Sequence, residues 1–223
     1  SAKGESDASR RFPKLKGDKA IQFSYAQFYK QMEMHPNSSA WLERAPSQRQ
    51  PFHEVWFLKL TQPGEGRSLW LRFTLFVSGN GFRRIAECWA IASQRRPDKP
   101  DVTTLAMKQA YDIQLFSNEP ESEIKVAECT LNDTSTQGSV VSKGRSIRWD
   151  LKFEKRSPVS FDLIPSLLRT VGIVRNSAQI VASDLLFTVT TVINGEAARW
   201  NKAPGMQGHL SGTKQGHSWV WGH

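Results

Sequence analysis

From His53 onward the chain alternates apolar and polar positions. In HEVWFLKL (53–60), Val55, Phe57 and Lys59 fall on one side, and Glu54, Trp56, Leu58 and Leu60 on the other. PGEG (63–66) is a turn signal, and SLWLRFTLFVS (68–78) then sets Leu69, Leu71, Phe73, Leu75 and Val77 against Trp70, Arg72, Thr74 and Phe76. A period of two over such runs predicts strands, and a Pro/Gly turn between them predicts a hairpin. SGNG (78–81) is a second turn, and RIAECWAIAS (84–93) a third strand. RRPDKPD breaks the pattern. TLAMKQAYDIQLF (104–116) reads as a fourth strand, although AMKQAYDI also fits a helical turn. RSIRWDLKFE (145–154) alternates cleanly, with Ile147, Trp149, Leu151 and Phe153 opposite Arg148, Asp150, Lys152 and Glu154. That is the signature of a half-buried antiparallel strand. Residues 117–146 alternate only weakly, at 122–131 and 138–144. A Pro-interrupted connection covers 157–168. Residues 179–204 supply one or two β-branched strands with an Asn-Gly-Glu turn at 194–196.

Before this body the pattern is different. Residues 1–20 are charged and aperiodic, and are expected to be a disordered lead-in. Residues 21–35 place Phe28, Met32 and His35 at helical spacing, which predicts a short helix stopped by Pro36. Residues 36–52, with their prolines and amides, read as a loop. Residues 21–223 are therefore expected to form one domain. Many short strands with turns between them and few helices indicate an antiparallel sandwich or barrel. A barrel is favoured, because closure removes exposed sheet edges.

Composition narrows this reading. Hydrophobic residues make up 39% of the 223, enough for a core. No stretch reaches the ~20 apolar residues that a membrane helix needs. No apolar signal-peptide segment is visible at the start, and the compartment is left open. The net charge is +9 and the pI about 9.8, but the basic residues are scattered and form no long Lys/Arg block, so nucleic acid is not an expected partner. The two cysteines, Cys88 and Cys129, form no CxxC pair. A bridge between them requires neighbouring strands.

Candidate chemistry concentrates at the C-terminus. His209, His217 and His223 fall among Lys214, Trp219 and Trp221, and in an extended strand His217, Trp219, Trp221 and His223 share one face. Three readings compete there: a metal site, acid–base use of one imidazole, and a packed strand with hydrogen-bonded histidines. The spacing matches no metal signature, so no metal is expected. Glu54, Glu87 and Asp150 are carboxylates within strand patterns. Burial would raise the pKa of any that points inward and make it a candidate acid. Arg72, beside Trp70, could pair with such an acid or clamp a ligand carboxylate. Phosphate-loop, dinucleotide, HExxH and serine-elbow motifs are missing, and no cofactor is expected.

Taken in order, HEVWFLKL, SLWLRFTL, CWAIA, SIRWDLKF and ARWNKAPGMQGHLSGTKQGHSWVWGH resemble the lipocalin-like superfamily of AttH-type proteins, carotenoid hydratase and tocopherol cyclase. The resemblance implies an all-β, lipocalin-like antiparallel barrel with a short N-terminal helix, one of a tandem pair. A second barrel is expected beyond His223. It also implies a hydrophobic, often isoprenoid, small-molecule ligand, with protonation of a double bond as the reaction in members that are enzymes. Glu54, His209 and His217 are the candidate acid–base residues on this reading. Trp56, Trp70, Arg72, Trp149, Lys214, Trp219 and Trp221 are the candidate ligand contacts.

Overall fold

The computed structural model describes residues 35–44, 51–96, 101–157, 159–165, 168 and 174–213. The expected lead-in (1–20), all of the expected helix but His35, and the tail from Lys214 lie outside the described residues.

The described chain is almost entirely strand. In order these are β1 (Phe52–Gln62), β2 (Arg67–Val77), β3 (Arg84–Arg95), β4 (Val102–Asp112), β5 (Phe116–Ser117), β6 (Ile124–Val126), β7 (Cys129–Leu131), β8 (Ser135–Ser142), β9 (Arg145–Lys155), β10 (Phe161–Asp162), β11 (Asn176–Ile193) and β12 (Glu196–Gly212). All pairings are antiparallel, and the sheet runs β4-β3-β2-β1-β12-β11-β9-β8-β7-β6-β5, with β10 added beside β11. The sheet curls until β4 comes up against β8, where the Val141 amide donates to Gln109 Oε1 at 3.4 Å. The result is a nearly closed barrel, as the strand count and turns predict.

Local chemistry explains the strands. The PGEG turn becomes a short 3-10 segment closed by Gly66, and β1 then pairs with β2 from Gln62↔Arg67 to Phe52↔Val77. Between β11 and β12, Asn194 and Gly195 take φ of 51° and 91°. Two left-handed residues make the turn whose twist suits a two-residue hairpin, and Asn-Gly tolerates it best. The alternation of β9 is kept: Ile147, Trp149, Leu151 and Phe153 are buried while Arg148, Asp150, Lys152 and Glu154 are exposed.

Three boundaries differ from the sequence reading. The fourth strand ends at Asp112, and Ile113–Leu115 form a 3-10 turn capped by the Asp112 carboxylate on the Gln114 amide. Residues 122–131 divide into β6 and β7, a hairpin too short to display a period. The last strand also continues past Pro204 to Gly212, through a Gly-rich stretch that reads as tail. The neighbours explain this. A Cβ on Gly208 would strike the Phe57 ring, so the bare backbone lets β12 lie against β1.

One hydrophobic cluster lies inside the barrel. The inward sets are Phe52, Trp56, Leu58 and Leu60 of β1, Leu69, Leu71, Phe73 and Leu75 of β2, and Ala86, Cys88 and Ala90 of β3, continued by β9, β11 and β12. The outer face carries a smaller cluster of Val55, Phe57, Ile180 and Met206. No helix among the described residues is long and apolar enough to cross a membrane.

Candidate functional site

Glu54 lies on the inward face of β1 and is fully buried. A carboxylate in such a place needs donors for both oxygens. Oε2 accepts from Ser39 Oγ at 2.9 Å and from the Trp41 amide at 3.1 Å. Oε1 accepts from the Ala40 amide at 2.7 Å and from His209 Nε2 at 2.8 Å. An ionised carboxylate only accepts, so opposite one Nε2 of His209 is the donor. Nδ1 of His209 has no hydrogen-bond partner among the described residues. The imidazole is therefore held at one nitrogen and open at the other.

β12 delivers His209 directly opposite Trp56 of β1 in the ladder. The two rings stack with centroids 4.8 Å apart and an interplanar angle of 14°. Phe116 stacks on Trp56 in turn, at 5.8 Å. The carboxylate–imidazole pair thus sits against an aromatic wall. Among the described residues Nε1 of Trp56 is buried without an acceptor, and Nε1 of Trp200 and Oγ1 of Thr191 are likewise without partners elsewhere in the core. Each such orphan costs about 1–3 kcal/mol.

Residues 35–44 are tied to this end of the barrel. Asn37 donates to the Ser122 carbonyl and accepts from Gln207 of β12, at 2.9 and 2.8 Å. The Ser39 amide donates to Asn118 Oδ1 at 2.6 Å, and His35 Nε2 lies 3.0 Å from Asp133 Oδ2. Asn37, Ser38, Ser39, Asn118 and Gln207 are all buried. Sequence reading missed every one of them, because polar residues in a loop carry no periodic signal. The nearest hint is the Asn and Ser density of HPNSSAWLER.

The other expected site residues go elsewhere. Trp70 and Arg72 alternate onto the outer face, opposite to the face that carries Trp56. There Arg72 lies between Trp70 and Trp89, 5.5 and 5.1 Å from their ring centroids. Burial lowers its pKa, partly offset by Glu87. Glu87 is also on the outer face, and it accepts from Lys108 and from Trp89 Nε1, each at 3.0 Å. His53 on the same face is pushed down to about 4, by burial first and then by the charge of Arg72. Asp150 is exposed on β9. Trp149 points inward, with Nε1 donating to Thr136 Oγ1 at 3.1 Å. Lys214, His217, Trp219, Trp221 and His223 lie outside the described residues. No group of three or more His, Cys, Asp or Glu placed to hold a metal ion occurs among the described residues.

Two open grooves mark the outside. One, of about 570 Å³, runs past Phe153, Phe187, Lys152 and Lys202; another, of about 340 Å³, lies over Gly138, Trp149 and Asp150.

No family model matches the chain, and no curated protein does. Solved structures do. A Nitrosomonas europaea protein described as an AttH aligns over 74% of this chain and 52% of its own, at 10% identity and a TM-score of 0.40. CghA, solved with Sch210972, aligns over 73% of this chain and 46% of its own, at 12% identity and a TM-score of 0.43. The chain thus spans about half the length of each of these two structures.

Proposed function

We propose that this barrel binds a hydrophobic small molecule, with its polar end against His209 and Trp56. The observation that carries the reading is the buried indole N–H of Trp56, unpaired among the described residues and stacked on an imidazole that is bonded at one nitrogen only. Trp56 offers an indole N–H, and the stacked His209 offers Nδ1, each with no hydrogen-bond partner among the described residues. A ligand hydroxyl or carbonyl would satisfy one or both, while its hydrocarbon lies along aromatic and aliphatic walls. Apolar walls with a few placed polar groups are what a small-molecule site needs. Glu54 fixes the tautomer and the ring plane of His209, and three of its four donors come from the 39–41 turn.

The test is a titration of tryptophan fluorescence with a panel of fatty acids and prenyl alcohols. Saturable binding is expected, and His209→Ala should weaken it about tenfold, the value of one lost hydrogen bond. A flat response to the whole panel overturns the reading.

A second reading, an isoprenoid hydratase or cyclase, draws on the same pair. A carboxylate-backed imidazole can take up and deliver a proton, and a carbocation formed on a double bond needs shelter from bulk water. Prenyl substrates incubated in D2O should then gain one deuterium per turnover, and His209→Ala should lower the rate ~100-fold or more. Absence of any hydrated or cyclised product removes the enzymatic reading and leaves binding alone.

A further inference from the structure

β3 and β7 are far apart along the sheet, yet its curvature brings them face to face inside the barrel. Cys88 points inward from β3 and Cys129 from β7; both are free and wholly buried. Cys88 Sγ lies 3.8 Å from the carbonyl of Val126, and Val126 is the hairpin partner of Cys129. Cys129 Sγ lies 3.6 Å from the Ser139 carbonyl. It occupies the room left at Gly138, where a Cβ would come within 2.7 Å of the sulfur. The Val126–Cys129 hairpin thus sets both cysteines in one part of the core.

Their position matters because of the seam. β4 and β8 meet there without a continuous ladder, and the Gln109–Val141 hydrogen bond is a side-chain contact. Cys88 belongs to the strand beside β4 and Cys129 to the strand beside β8, so a bond between them would span the gap where backbone pairing stops.

We propose that Cys88 and Cys129 are a modification site, a dithiol that a hydroperoxide converts to a disulfide stapling the barrel seam. Cys129 is the sulfur that reacts first. Its shared hydrogen bond with Cys88 favours its thiolate, while the same contact and burial hold Cys88 protonated. The thiolate attacks the peroxide O–O bond, giving a sulfenic acid and one water once the departing oxygen is protonated. Cys88 sulfur then attacks the sulfenic sulfur, its proton leaves with the hydroxyl as a second water, and the S–S bond forms. Two thiols are oxidised by two electrons, and one peroxide is reduced to two waters. The site is independent of the ligand reading above.

The experiment uses the full chain in native buffer, treated with hydrogen peroxide and digested without reduction. The expected product is a peptide linking Cys88 to Cys129, lighter by two hydrogens and restored by dithiothreitol. The linked chain should melt about 5–10 °C higher than the reduced one. In Cys129→Ser, Cys88 should remain a free thiol under the same treatment. Sulfinate or sulfonate at either position, intermolecular dimers, or linkage only after denaturation would overturn the site. A native linkage that leaves the melting temperature unchanged would overturn its stapling role.

Discussion

Glu54 has two duties that one substitution separates. Its carboxylate accepts hydrogen bonds from three donors of the 39–41 turn and one from His209. Glu54→Gln keeps the shape but turns an NH2 toward donors. We expect it to cost about 2–3 kcal/mol in urea unfolding, the penalty for unmatched buried polar groups. His209→Ala leaves the donors from the turn in place, so its stability loss should be the smaller of the two while its effect on ligand binding is the larger. His53 tests a different piece of physics. Its folded pKa is depressed from 6.5 to about 4 by burial, then by Arg72, with Glu87 opposing. Between those values the unfolded chain binds more protons than the folded one, so stability is full above pH 6.5 and falls as the pH drops toward 4. With allowance for residual exposure, about 2 kcal/mol should be lost across this window. Denaturant midpoints from pH 7.5 to pH 4 will read it, and His53→Gln should flatten the curve. The alternation of HEVWFLKL already placed Glu54 and His53 on opposite faces. It could not say that the Glu54 face meets a serine from one loop and a histidine on the last described strand.

At the scale of the element, turn chemistry and strand period agree. The Asn194–Gly195 turn needs two residues at positive φ. Gly195→Ala should therefore cost about 1 kcal/mol, read as a shift in the urea midpoint at constant slope. β9 was legible because each residue obeys its own face, apolar in and charged out. β6 and β7 were poorly legible because three residues show no period. β12 from Gly205 to Gly212 was not legible, because its glycines are chosen for close approach to neighbours, Phe57 at Gly208 among them, and that requirement belongs to the partner strand. β11 shifts register three times against β12. Bulges of this kind bend a strand and increase its twist, which helps a sheet to curl.

For the whole molecule, the curl leaves one weak line. The strands β1, β2, β11 and β12 each have ladders on both sides, whereas β4 is paired only to β3 and faces β8 across the seam. Amide exchange should therefore be fastest in β4 and in the β5–β7 end of the sheet, and slowest in β1 and β2. Uniform protection across the barrel would contradict an incomplete closure. The amino-acid sequence by itself determined the strand-rich class, the main turns, and the face to which the residues of β1, β2 and β9 belong. Period and turn preference act over a few residues, so they can be read locally. Which faces meet was decided only in three dimensions. The pairing of Glu54 with His209, the stacking on Trp56, the strap of polar residues from Asn37 to Trp41 and the contact of Cys88 with Cys129 all join distant positions. They depend on which strands the folded sheet sets side by side and face to face, and no pattern along one strand encodes its neighbours.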